Sequence, residues 1–214
     1  MKFKILEEIA SIGIVPLVVL EDASKAAPLA QALCDGGIPI AEVTFRTAAA
    51  AKAIYTMADA RPDMLVGSGT VHNVDQAWAT LDNGGKFVIT PGFNPKVVDW
   101  CLKHNLAVCP GTVTPSDLEM ALDFGLEVVK FFPAAAYGGV KTLKALAGPY
   151  ASLRFVPTGG VNLENLSEYL SLKNVAAVGG SFVPDPKQVK AEDYEGIRTS
   201  CREILQKVNA IRTK

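Results

Sequence analysis

A chain of 214 residues, 49% apolar but only 7% aromatic, is long enough to bury one substantial core, and α/β barrels of this size are commonly single domains. Its net charge of −1 gives no electrostatic basis for binding nucleic acid or an anionic membrane, and Cys34, Cys101, Cys109 and Cys201 show no metal-type or redox-type pairing, which suits a reducing compartment. Glu7 and Glu8 interrupt the first apolar segment and residues 14–20 are too few to span a membrane, so no secretion signal or membrane anchor is expected and a cytoplasmic protein is.

The first predicted element is a helix over residues 3–12. Eight short apolar runs then recur, at 14–20, 40–45, 65–70, 87–92, 107–112, 127–133, 154–160 and 176–181, each followed by a polar, helix-compatible stretch. The runs are rich in valine and isoleucine and barely alternate, the pattern of strands buried on both faces. After the first run, Asp22 or Ser24 is expected to start a helix that Gly36 and Gly37 end. After the fifth, Ser116 stands three residues before Glu119, a capping-box spacing. After the seventh, Asn162 is the expected cap. Residues 193–212 read as the last outer helix. Eight such units predict an α/β fold of the (β/α)8 TIM-barrel type, one domain over residues 1–214, with the extra N-terminal helix covering the barrel bottom. An open doubly wound sheet would usually have fewer strands and a different ligand crevice.

In such barrels the chemistry stands at the C-terminal ends of the strands. Lys130 lies in an apolar run, Val128-Val129-Lys130-Phe131-Phe132. An amine held in dry surroundings loses proton affinity, and a neutral amine can form a Schiff base with a carbonyl. Taken singly, such a lysine more often packs its stem and reaches solvent with its head. Glu42 is the other ionisable residue least expected on an inner strand. If the two faced each other they could form a structural ion pair, which is weak evidence for stability, or a catalytic amine and carboxylate. The seventh and eighth runs end in Thr158-Gly159-Gly160 and Gly179-Gly180-Ser181. Tight turns alone can require glycine. Two such turns in successive final units, with the Thr158 and Ser181 hydroxyls beside them and helix N-termini expected to follow, favour a phosphate site. Arg46 could bind a substrate carboxylate through its planar fork, with Thr70 adding a hydroxyl, or pair with an acid at the rim. His72 and His104 read as surface or helix-end residues, and no His and carboxylate cluster has metal-ligand spacing.

Together, Glu42-Val43-Thr44-Phe45-Arg46-Thr47, Gly67-Ser68-Gly69-Thr70, Lys130-Phe131-Phe132-Pro133-Ala134, Pro157-Thr158-Gly159-Gly160 and Gly179-Gly180-Ser181 resemble, in order and spacing, the 2-keto-3-deoxy-6-phosphogluconate aldolases, including members that also act as 4-hydroxy-2-oxoglutarate aldolases. The resemblance runs from residue 14 to residue 181. It implies a (β/α)8 barrel assembled as a homotrimer. It also implies reversible cleavage of a keto-acid phosphate to pyruvate and D-glyceraldehyde 3-phosphate, with no metal and no cofactor. By position it implies Lys130 as the Schiff-base lysine and Glu42 as the general acid/base. Arg46 and Thr70 become partners of the pyruvyl carboxylate, Pro91 and Phe132 walls of its carbon skeleton. Gly159, Gly160, Gly180 and Ser181 become the phosphate cradle, and Thr158 helps position the chain. Two departures stand out: Ala135 where many relatives carry an acid, and Val18-Val19-Leu20 where some carry an arginine. Three alternatives stay open: the aldolase for the galactonate epimer, a phosphosugar isomerase or epimerase on the same barrel, and a non-catalytic trimeric scaffold.

Overall fold

Valine- and isoleucine-rich runs without polar alternation are accommodated when both faces of a strand are covered. The structure, a computed structural model, describes residues 3–213 and covers them so. β1 (Ile14–Val18) and β2 (Ile40–Thr44) are buried at every residue, as are the short β4 (Phe87–Ile89), β5 (Ala107–Cys109) and β7 (Val128–Phe131). β3 (Leu65–Gly69), β6 (Gly111–Thr112), β8 (Arg154–Pro157) and β9 (Val178–Gly180) complete the set. All pairings are parallel, in the hydrogen-bonded orders β5-β4-β3-β2-β1-β9 and β6-β7-β8.

The fifth predicted run forms two strands. Pro110 has no N–H to give to a ladder, so β5 stops before it and β6 starts after it. Its carbonyl still accepts from the Lys130 amide at 2.9 Å, which carries the sheet across the break. At the other seam, parallel bridges Phe155↔Val175 and Thr158↔Gly179 join β8 to the segment entering β9. The curled sheet is thereby closed into the expected barrel.

The outer layer is helical: α1 (Lys4–Ile12), α2 (Ala26–Asp35), α3 (Ala50–Ala60), α4 (Val74–Asp82), α5 (Pro95–Lys103), α6 (Pro115–Asp123), α7 (Gly139–Leu146), α8 (Leu166–Leu170), α9 (Pro186–Ala191) and α10 (Tyr194–Arg212). α1 buries Leu6 and Ile9 and runs through Gly13 straight into β1. It therefore lies at the N-terminal ends of the strands, as expected. Glu7 pairs there with Arg154, the first residue of β8, and Arg212 donates to the carbonyls of Ala10 and Ala176. α10 buries Ile197, Cys201, Ile204 and Val208, the four-three-four spacing of one helical face.

Two caps differ from the sequence reading. The capping box of α6 is Thr114 with Asp117, not Ser116 with Glu119. Pro115 takes the first helical position, where its missing N–H has no intrahelical partner to lose, and this starts the helix two residues earlier. Asn162 caps a turn and not the helix: its Oδ1 accepts from the amides of Glu164 and Asn165 at 2.9 and 3.1 Å, and α8 begins only at Leu166. Asp22 does start its segment, accepting from the Ser24 amide at 2.8 Å ahead of a 3₁₀ turn that runs into α2.

Candidate active site

Alternate residues of a strand share a face. On β2 that divides Ala41 and Val43 from Glu42 and Thr44. Lys130 on β7 settles which pair points inward. β2 and β7 are not sheet neighbours, yet Lys130 Nζ stands 3.5 Å from Glu42 Oε1, so the contact crosses the barrel interior. Lys130 is 4% exposed and Glu42 1%. The Phe132 ring, two residues along β7's course, lies 5.0 Å from the same nitrogen. Thr112 Oγ1 donates to the Lys130 carbonyl at 2.9 Å and ties β6 to β7 at this residue.

The carboxyl of Glu42 needs a gap in the adjacent strand. Gly69 supplies it: a Cβ there would collide with Oε1, Cγ and Cδ of Glu42. Burial pushes the Glu42 carboxyl above the ordinary value of 4.5, against the opposing pull of Lys130 and Arg46. A carboxyl with raised proton affinity, in contact with an amine, is suited to taking a proton and returning it. Cys109 is the other buried ionisable group whose charge would act on the pair, and burial holds its thiol at about 12. It stays protonated and does not compete as a nucleophile.

The remaining sequence-predicted residues stand at the C-terminal ends of the strands. Arg46 is exposed in the turn after β2, near enough for its charge to act on Glu42. Thr70, just past β3, has φ 57°, a left-handed backbone that a β-branched side chain rarely adopts. Such strain persists only where the surroundings impose it, and it concentrates at functional sites. Pro91 is half-buried and fixed by Thr90, whose Oγ1 donates to Gly92 O at 2.6 Å and accepts from the Gly111 amide at 3.2 Å.

The ends of β8 and β9 are brought together by the Thr158↔Gly179 bridge. Thr158 is buried, Gly159 and Gly160 have φ of 90° and 82°, Gly180 is buried and Ser181 exposed. The conformations of Gly159 and Gly160 hold the chain in a turn that other residues enter only with strain, but the second glycine turn expected from the sequence is absent, because Gly179 and Gly180 are residues of β9. The helices expected to follow directly do not. α8 begins six residues after Gly160 and α9 five after Ser181, and they are only five and six residues long. Loop amides, not helix ends, are what this corner offers an anion. Ala135 packs against Gly160.

A cavity of about 540 Å³ opens beside Ser181, walled by Leu17, Val19, Leu20, Pro184 and Val189, with Lys190 also lining it. It touches neither Lys130 nor Glu42, so the buried pair and the cavity are separate parts of the barrel mouth. Val18, Val19 and Leu20 make its strand-one side apolar. Hydropathy alone does not single out Thr44, Thr90 and Thr112, although each is a polar residue inside an apolar run. Among the described residues, no group of three His, Cys, Asp or Glu is placed to hold a metal ion, and no helix is long and apolar enough to cross a membrane.

The family model described as KDPG and KHG aldolase matches residues 5–200. A 2-dehydro-3-deoxy-phosphogluconate aldolase of Treponema pallidum is 44% identical, over 97% of this chain and 99% of the relative. One from Haemophilus influenzae is 42% identical, over 94% and 95%. A crystal structure of the KDPG aldolase from Legionella pneumophila, with pyruvate captured at low pH as a covalent carbinolamine intermediate, superposes with a TM-score of 0.90 at 37% identity, covering 92% of this chain and 97% of the other. With a closed parallel barrel, one buried lysine facing one buried glutamate across it, and a match over nearly the whole chain, this protein belongs to the KDPG and KHG aldolase family.

Proposed function

We propose that this protein is a Schiff-base aldolase that reversibly cleaves 2-keto-3-deoxy-6-phosphogluconate to pyruvate and D-glyceraldehyde 3-phosphate, and that also cleaves 4-hydroxy-2-oxoglutarate to pyruvate and glyoxylate. The observation that carries this reading is the Lys130–Glu42 contact of 3.5 Å inside the barrel. The Lys130 amine attacks the C2 ketone, and loss of water leaves an iminium. Glu42 takes the C4 hydroxyl proton as the C3–C4 bond breaks. The bond's electrons pass into the iminium, leaving pyruvate as an enamine on Lys130 while the aldehyde departs. The Glu42 proton returns to C3, and water hydrolyses the imine to pyruvate and free amine. The iminium is the electron sink, so this route uses no cofactor.

In this reading Arg46 and Thr70 hold the carboxylate and Pro91 and Phe132 flank the three-carbon skeleton. Gly159, Gly160, Gly180 and Ser181 receive the phosphate end, and Thr158 positions the substrate chain. Binding there, far from the reacting bond, helps hold a reactive geometry. One domain carries all these parts, and the active form is a cytoplasmic homotrimer.

The test is side-by-side cleavage of the gluconate and galactonate epimers, measured by release of pyruvate. Cleavage of the galactonate epimer alone overturns the substrate assignment. Removal of the Ser181 hydroxyl is the companion experiment. A hydrogen bond to a charged group contributes about 1.5–3 kcal/mol, so Ser181→Ala is expected to lower kcat/KM for the phosphorylated substrate by roughly tenfold or more. Turnover of 4-hydroxy-2-oxoglutarate, which has no phosphate, should be unchanged. Equal losses on both would show that Ser181 does not serve the phosphate.

Thr70 offers a stability counterpart. A non-glycine residue at its φ of 57° is strained by about 1–3 kcal/mol. Glycine relieves this while giving back about 0.5–1 kcal/mol through greater freedom of the unfolded chain. Thr70→Gly is therefore expected to melt no lower than the parent, and to bind pyruvate several-fold more weakly by the concentration dependence of borohydride trapping. A lower melting temperature with unchanged pyruvate affinity would mean that Thr70 is a packing residue.

A further inference from the structure

Among the described residues, two buried side-chain polar atoms lack a hydrogen-bond partner, Thr44 Oγ1 and Arg198 Nε. Arg198 Nε has a charge beside it, Asp35 at 3.6 Å. Thr44 has nothing comparable. It is 1% exposed, and a buried hydroxyl left unpaired is destabilising, so its retention calls for a state of the protein that pairs it.

Its position says what that state is. Thr44 ends β2 and shares the inward face with Glu42, one pleat nearer the barrel mouth. Its register partner on β3 is Gly69, whereas that of Glu42 is Gly67. Yet the Glu42 carboxyl lies over Gly69, because Gly69 is the residue whose Cβ would collide with it. The carboxyl has thus risen from its own level to that of Thr44. A hydroxyl with a proton to donate and a carboxyl share one layer of the barrel.

In the free protein the Glu42 carboxyl is held by Lys130. In the reaction proposed above, that nitrogen becomes part of an imine. It then keeps at most one N–H in place of the three of an ammonium, and its direction is fixed by the planar C=N bond. We propose that Thr44 is a positioning residue for Glu42: its hydroxyl donates to the carboxylate once the Lys130 nitrogen is bound to substrate, and keeps the base aimed at the substrate carbon. This rests on the Schiff-base reading of the site.

The charged and titratable groups acting on Glu42 are Lys130 from β7, Arg46 after β2 and Cys109 from β5. The Cys109 thiol, at about 12, keeps its proton. A displaced acid limb in a Thr44 variant therefore reports the hydroxyl. The experiment is exchange of pyruvate methyl protons with deuterated solvent, followed by NMR across pH, in the parent, Thr44→Val and Thr44→Ser. Borohydride trapping of pyruvate is run on each.

Valine preserves the shape and removes the donor. Loss of a hydrogen bond to a carboxylate raises its proton affinity. Thr44→Val should therefore lower the exchange plateau by about tenfold and move the acid limb about one pH unit upward, with trapping unchanged. Thr44→Ser should restore both. An unmoved acid limb in a folded Thr44→Val protein overturns the proposal, as does a parallel loss of trapping and exchange. A parent that does not trap pyruvate overturns the Schiff-base reading itself, and the role of Thr44 with it.

Discussion

Lys130→Met is expected to abolish cleavage, by ~10⁴-fold or more, since removing a covalent nucleophile costs on this scale. Methionine fills much of the space of the lysine stem and leaves no amine to condense. Borohydride reduction of the parent in the presence of pyruvate should leave a stable adduct at Lys130, located by peptide mass mapping, and the variant should leave none. An adduct confined to other lysines, or an active Lys130→Met protein, would falsify covalent catalysis at this residue.

The variant should fold, and the pH dependence of its stability gives a second check. Removing one member of a buried ion pair is normally severe, because it strands a charge. Glu42 has a way out: burial already raises its proton affinity, and Lys130 is the largest opposing influence. Without Lys130 the native state keeps the Glu42 proton further above 4.5, while the unfolded chain releases it near that value. Between those two values the native state binds more protons than the unfolded state, so stability falls as pH rises. Lys130→Met should therefore approach the stability of the parent near pH 4.5 and fall behind it progressively toward neutral pH. Thermal melts across that range would show it. A constant difference from the parent would mean that Glu42 does not take up the proton.

Glu42→Gln carries the second largest expected effect. General acid–base catalysis contributes about 10²–10⁴-fold, and both cleavage and pyruvate proton exchange should fall by that order. Trapping of pyruvate on Lys130 should persist, because the amine is still present. The parent's exchange rate should show an acid limb above the ordinary carboxyl value of 4.5, the direction in which burial shifts Glu42, and the variant should lack that limb. Near-normal exchange in Glu42→Gln would assign the proton transfer to another group.

Much of this architecture is legible in the residues because it depends on local pattern. Strands covered on both faces favour near-continuous apolar runs, and the eight runs show that without reference to the fold. The helix that buries Leu6 and Ile9 and the long one that buries Ile197, Cys201, Ile204 and Val208 announce themselves by spacing. Finer features depart from the pattern where one residue outweighs it. Pro110 divides a run that hydropathy reads as continuous, and Pro115 starts a helix two residues ahead of a plausible capping box. Gly159 and Gly160 after β8 mark a turn, whereas Gly179 and Gly180 are taken into β9, and the number of residues from each strand to its helix depends on how the loops pack.

The amino-acid sequence by itself determined that eight buried apolar runs alternate with helices, and that two ionisable residues, Glu42 and Lys130, interrupt two of them. Only the tertiary structure decided that these two meet, because they are separated by 88 positions and by several strands in either direction around the sheet. Closure of the barrel turns two inward-pointing side chains on distant strands into a contact of 3.5 Å. The same closure sets the Glu42 carboxyl over Gly69 and level with an unpaired Thr44 hydroxyl. Burial on an inner face is a local property that hydropathy records. Which buried groups touch across the interior depends on strand order, register and pleat together.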